Sequence, residues 1–201
     1  MVWVTRDESD KPIIKEISEQ TDRGAALIAA AYLEERLTDA IKARLVRDPD
    51  IEGRLFKGTG PIAAFSTKID LAFQLGIYEN DIRRLLHTVR NIRNGFAHRP
   101  EPLKFDSQRI HDLCMNINIG VQTEMDITDP DGTVNHLSFD VQPDGTARTA
   151  FFNTVRFLLL ILDMEINIAP PRVPAPPVFQ SLAKPFLASN EISPEPQPRT
   201  D

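Results

Sequence analysis

The residues best placed for chemistry lie in Arg93-Asn94-Gly95-Phe96-Ala97-His98, an Arg-x4-His spacing with an amide beside the arginine. Between Ile82 and Lys104 stand Arg83, Arg84, Arg90, Arg93, Arg99 and Lys104 against one acid, Glu101. The whole chain carries a net charge of −6. A local basic stripe on an acidic protein points to a focused anion site. A plain solvated helix face is the competing reading of the same charges. Short motifs of this kind also arise by chance; this one gains weight because it ends a basic amphipathic helix just before Arg99-Pro100-Glu101-Pro102.

Geometry attaches a condition to the motif. Asn94 and His98 are four residues apart and share a helix face. Arg93 and His98 are five apart, about 140° around an ideal helix. One regular helix therefore does not aim both at one small target. Either the helix distorts near Gly95, or two copies meet across a dimer axis and share the work. His87, Asn91, Asn94 and His98 form one stripe, which could extend a nucleic-acid groove. Arg83, His87, Arg90, Asn91 and Arg99 are its candidate contacts, with an exposed polar face as the alternative.

Other candidates read as structural. His111 and His136 are isolated and no His pair has metal-ligand spacing with nearby acids, so no metal is expected. Gly58-Thr59-Gly60 superficially resembles a phosphate cradle, but no Gly-Lys-Ser/Thr follows and no strand precedes it. It reads as a tight turn, and no cofactor is expected. Asp22 and Arg23 suit capping and a salt bridge, and Glu34 and Glu35 point apart on a helix. Cys114, the single cysteine, sits beside Leu113 and Met115 and reads as buried and inert.

The elements that must position the motif follow from periodicity. A helix begins near Pro12 and runs to about Gln20. Asp22 to Arg47 is the clearest one, with Leu27, Ala30, Leu33, Leu37, Ile41 and Leu45 at 3–4 spacing. Asp48-Pro49-Asp50 breaks it and opens a loop. Pro61 opens the next helix, to about Leu75, with Gly76 as its stop. The motif helix spans about Glu79 to His98, with Asn80 or Asp81 as cap and an apolar stripe of Ile82, Leu85, Val89, Ile92 and Phe96. Asp106 caps a short helix through Arg109, Ile110, Leu113 and Met115. Residues 117–146 contain Leu137-Ser-Phe-Asp-Val141, an alternation that fits a small β-hairpin or an irregular loop equally. The last helix, about Ala147 to Ile168, is apolar on more than one face and belongs at the bundle centre or in a subunit interface. The fold class is thus an all-α helical bundle over residues 1–168, with a possible hairpin insertion. Residues 169–201 hold nine of the sixteen prolines and read as a disordered, partly polyproline tail.

Composition narrows the function classes. No apolar run approaches the ~20 residues of a membrane span, and the N-terminus lacks the pattern of a secretory signal. One cysteine forbids an intramolecular disulfide, so a cytoplasmic location is the simplest expectation. The acidic balance argues against direct, specific DNA binding through phosphate neutralisation.

Asp22-Arg-Gly-Ala-Ala-Leu-Ile-Ala-Ala-Ala-Tyr-Leu-Glu-Glu-Arg-Leu37 resembles the first signature of the mannitol operon repressor (MltR) family. Phe65-Ser-Thr-Lys-Ile69, Leu75-Gly76-Ile77 and Ile92-Arg-Asn-Gly-Phe-Ala-His98 resemble its second. The likeness covers residues 17–113, about half the chain. MltR-like proteins are similar to the wider HEPN superfamily of helical bundles, whose hallmark, Arg-x4–6-His with a polar residue after the Arg, falls on Arg93, Asn94 and His98. The resemblance implies one of two functions. The first is a dimeric regulatory protein, associated with transcription or binding a partner, without a helix-turn-helix. The second is a HEPN-type metal-independent ribonuclease. There, His98 would be the general acid/base, Arg93 would stabilise the phosphorane and Asn94 would orient either. Both imply a homodimer whose partner is RNA or a regulatory protein, with no membrane involvement.

Overall fold

The computed structural model describes residues 11–98, 101–118, 121–128, 134–141 and 145–170, together with Arg172. Its elements are α1 (Lys11–Glu19), α2 (Asp22–Ala43), α3 (Pro49–Phe56), α4 (Phe65–Gln74), α5 (Asn80–Ala97), α6 (Gln108–Met115), β1 (Val121–Thr128), β2 (Val134–Val141) and α7 (Ala147–Ile168). The all-α class expected from periodicity is what the molecule has. Among the described residues no helix is long and apolar enough to cross a membrane.

Helix α2 is the hub because its first half carries five alanines, Ala25, Ala26, Ala29, Ala30 and Ala31. Ala25, Ala26, Ala29 and Ala30 are buried, and their short side chains let neighbours approach closely. The Thr21 hydroxyl accepts a hydrogen bond from the Gly24 N–H at 3.3 Å and so caps the helix start. Around α2 pack α1, α4, α5 and α7. Helix α7 brings the largest apolar load: Phe151, Val155, Leu158 and Leu162 are fully buried. Each such side chain stabilises the fold by about 1.5–3 kcal/mol. This is the central place that its all-round apolarity called for.

Five local expectations need correction. Helix α5 has Glu79 at its N-cap rather than Asn80 or Asp81, and α6 has Ser107 rather than Asp106, neither with a side-chain cap hydrogen bond. Asp48-Pro49 does not simply open a loop; it starts α3. The Asp48 carboxylate accepts from the N–H groups of Asp50 and Ile51, at 3.1 and 3.0 Å, with Pro49 in the first turn. The breaker of one helix is the N-cap and first residue of the next. Helix α2 stops at Ala43 rather than Arg47, the Arg44 N–H closing on the Ile41 carbonyl. Helix α4 starts at Phe65 rather than Pro61, because residues 57–63 form a turn in which Gly60 lies against α3. A Cβ on Gly60 would fall 2.4 Å from the carbonyl oxygens of Arg54 and Leu55. Gly76, at φ +67°, ends α4 as expected.

Residues 101–107 connect α5 to α6 and are held by an aromatic cluster. The Phe105 ring meets Phe96 edge-on at 5.1 Å and lies 5.3 Å from Phe151 and 5.8 Å from Phe152. Its N–H donates to the Asp22 carboxylate at 3.0 Å, which also pairs with Arg148. Asp22 thus joins three segments distant in sequence, and the helix cap falls to Thr21. Charged groups elsewhere pair across helices: Lys68 of α4 meets Glu34 of α2 at 2.8 Å, and Arg36 of α2 meets Asp163 of α7 at 3.7 Å.

The undecided stretch between α6 and α7 forms the hairpin. Strands β1 and β2 are antiparallel, in a register that pairs Val121 with Val141 and Thr128 with Val134. Beyond α7, Arg172 donates to the Leu45 and Val46 carbonyls and pairs with Glu52. That pairing holds the Glu52 carboxyl below its ordinary range. The proline-rich segment from Val173 onward, expected to be disordered, lies outside the described residues.

Candidate functional site

Helix α5 positions the motif. Leu86, Val89, Ile92 and Phe96 repeat at 3–4 spacing and are fully buried, which fixes the helix's rotation. The opposite edge carries His87, Asn91, Asn94 and His98. Helix α6 lies alongside the C-terminal half of α5, and its approach depends on Gly95. A Cβ there would come within 2.7 Å of the Ile110 Cδ1 of α6.

Between the two helices runs an open groove of about 790 Å³. Asn91, Asn94, Gly95 and His98 line it from α5, and Gln108, Arg109, Asp112 and Asn116 line it from α6. His98 is exposed at the helix end, its N–H bonded to the Asn94 carbonyl at 3.2 Å. Its ring has no partner among the described residues. Asn94 is half-buried, and its Oδ1 accepts from Arg93 Nη1 at 3.0 Å. Arg93 itself does not line the groove.

The 140° problem is therefore met differently from either expectation within one chain. Helix α5 runs unbroken through Gly95, so no distortion brings Arg93 round. Its long side chain reaches Asn94 instead, and Asn94 faces the groove.

The candidate nucleic-acid contacts separate. Arg83 Nε and Nη2 donate to Asp70 Oδ1 of α4 at 2.8 and 2.7 Å, and the guanidinium lies 5.5 Å from the Phe73 ring centre. His87 Nε2 is 3.2 Å from the same oxygen. Arg83 first, and then His87, hold the Asp70 carboxyl below its ordinary value. These two residues tie α5 to α4. Arg90 is half-buried and away from the groove, Asn91 is exposed within it, and Arg99 lies outside the described residues.

Sequence reasoning missed the α6 wall. Gln108, Asp112 and Asn116 repeat at four-residue spacing beside Arg109, while Ile110 and Cys114 are buried. That amphipathic pattern was a usable signal. Gln108 Nε2 donates to Asp112 Oδ1 at 2.8 Å, and His111 Nδ1 stands 3.6 Å from that oxygen, so the groove's one acid is engaged by its own helix. What remains open is amides, an imidazole and a guanidinium: donors and acceptors for a polar ligand, with a cation, Arg109, for an anionic one.

Burial pushes the Cys114 thiol up to about 12, so it stays protonated and unreactive. Among the described residues no three His, Cys, Asp or Glu side chains converge to hold a metal. No protein-family model, curated protein or solved structure matches this chain, so its likeness to the mannitol operon repressor family rests on the quoted residues alone.

Proposed function

We propose that this chain is a metal-independent ribonuclease on a helical bundle, with RNA held in the α5–α6 groove. The observation that carries the reading is that Asn94 and His98 line one open groove and the His98 ring is uncommitted within the described chain. In such cleavage the ribose 2′-oxygen gives its proton to a base and bonds to phosphorus. The bond from phosphorus to the 5′-oxygen breaks, and that oxygen takes a proton from an acid. His98 fills one of these roles, and Asn94, held by Arg93, donates toward the charge of the phosphorane. The products are a 2′,3′-cyclic phosphate and a 5′-hydroxyl. A second copy across a two-fold axis brings a second His98, so the proposed active form is a homodimer.

The test is incubation of end-labelled single-stranded RNA with the purified chain in excess chelator. Cleavage to cyclic-phosphate ends is expected, and its loss in both His98→Ala and Arg93→Ala while the dimer persists. Cleavage surviving in His98→Ala overturns the mechanism.

A second reading, a non-catalytic regulatory protein like the mannitol operon repressor, has its own support. Asp70 engages Arg83 and His87, two of the side chains a nucleic-acid track on α5 would use. On this reading RNA stays intact at micromolar protein, and His98→Ala alters binding of a protein partner.

A further inference from the structure

We infer that Arg109 of α6, rather than Arg93, is the arginine that meets the phosphate in this groove, and that Arg93 is a positioning residue acting through Asn94. The inference rests on the proposed RNA reading for its ligand class, a phosphodiester of single-stranded RNA.

The argument starts from what each arginine touches. A guanidinium has only donors, so its contact with Asn94 fixes which amide atom faces it: the Oδ1. With Oδ1 spent on Arg93, Asn94 keeps its Nδ2–H groups for the groove that it lines. The amide is thereby set as a donor, the polarity an anionic oxygen requires. Arg93 supplies that setting from behind, since it is half-buried and absent from the groove wall.

Arg109 is in the opposite position. It lines the groove, is exposed, and has no hydrogen bond or ion pair among the described residues. The one carboxylate in the wall, Asp112, accepts from Gln108 and lies beside His111, leaving Arg109 uncommitted. His98 and Asn94 face it from α5. A phosphate between the walls would meet the Asn94 donor and the imidazole on one side and the Arg109 guanidinium on the other. The helical angle that separates Arg93 from His98 then ceases to matter, because the cation comes from the second helix.

Salt dependence distinguishes the two arginines. Removing one cation that neutralises a phosphate of a single strand lowers the magnitude of the slope of log K against log salt by about 0.7. The probe is a short 2′-O-methyl oligoribonucleotide, whose capped 2′-oxygen cannot attack, followed by fluorescence anisotropy over a salt series with the full chain. Arg109→Gln is expected to lower the slope by about 0.7, and Arg109→Lys to retain it. Arg93→Gln is expected to weaken binding with the slope unchanged. It should have no further effect in an Asn94→Ala background, as for residues acting through one contact. Circular dichroism checks that each variant keeps its helices. A slope lowered by Arg93→Gln and untouched by Arg109→Gln overturns the inference, as do additive effects of Arg93→Gln and Asn94→Ala. If the probe binds as expected but unmodified RNA stays uncut, the ribonuclease reading fails and this assignment stands. If the wild type does not bind the probe, both fall.

Discussion

The polar edge of α5 has two halves that look alike in the chain and differ in the molecule. In the first half, Arg83 and His87 converge on one carboxylate, Asp70, and these contacts fasten α4 to α5. In the second half, Asn91, Asn94 and His98 face an open groove, and the His98 ring is unclaimed. Helix, spacing and stripe are the same in both. What differs is the neighbour: α4 presents an acid, whereas α6 presents amides, an arginine and an acid already engaged. A charged residue's role is set by the helix opposite, and candidate sites are the places where that helix leaves groups unpaired.

The comparison can be broken most forcefully from beneath. Phe105→Ala removes the ring that ties the α5–α6 connection to Phe96, Phe151 and Phe152. A buried Phe→Ala costs about 3–5 kcal/mol, so a large fall in the urea midpoint is expected, and ligand binding in the groove should fail with it. Next comes Gly95→Val. The added branches press on Ile110, which already lies 2.7 Å from where a Cβ would sit. Overpacking of about 1–3 kcal/mol is expected, and the open half should lose its shape while the Asp70 contacts hold. Equal weakening of both halves, read by amide hydrogen exchange, would count against the separation.

Asp70→Asn tests the closed half by releasing Arg83 and His87. The groups are substantially exposed, with side-chain accessibilities of 35% for Arg83 and 52% for Asp70, so the loss should be at most about 1 kcal/mol. The pH sign follows from the shift. Asp70 ionises below its ordinary value of 3.8 in the folded protein. Its stabilisation is therefore complete above that pH and disappears as pH falls through the folded value. The wild type should lose stability in acid more steeply than Asp70→Asn, and parallel acid limbs would show that the pair contributes nothing. The smallest effect belongs to His98→Ala. An exposed side chain without a partner should shift stability within about 0.5 kcal/mol, so a larger thermal change would mean that His98 is structural.

Much of this was legible in the chain. The apolar periods of α2, α5 and α7 fix which faces are buried, and α7's all-round apolarity places it centrally. The α5 half of the groove could be read from Asn91, Asn94 and His98 alone. Helix α3 escaped because Asp-Pro signals both an end and a beginning, and eight residues carry little periodicity. The α6 wall escaped for a different reason. Gln108, Asp112 and Asn116 form a visible stripe, but their facing α5 depends on contact between Gly95 and Ile110, residues fifteen apart. The satisfaction of Arg83 and His87 by Asp70 is likewise a tertiary fact that no helical wheel of α5 contains.

The Asp22 carboxylate has a kinetic meaning as well. Its partners, the Phe105 N–H and Arg148, lie 83 and 126 residues along the chain. Closing such long loops carries a large entropic cost, so contacts of this span form after local helix pairing. An interaction absent from the transition state leaves the folding rate alone and slows unfolding. Asp22 thus acts as a late clasp on the native bundle. Asp22→Asn should steepen loss of the folded state in an unfolding jump and leave the refolding rate unchanged, whereas slowed refolding would place the clasp in the nucleus.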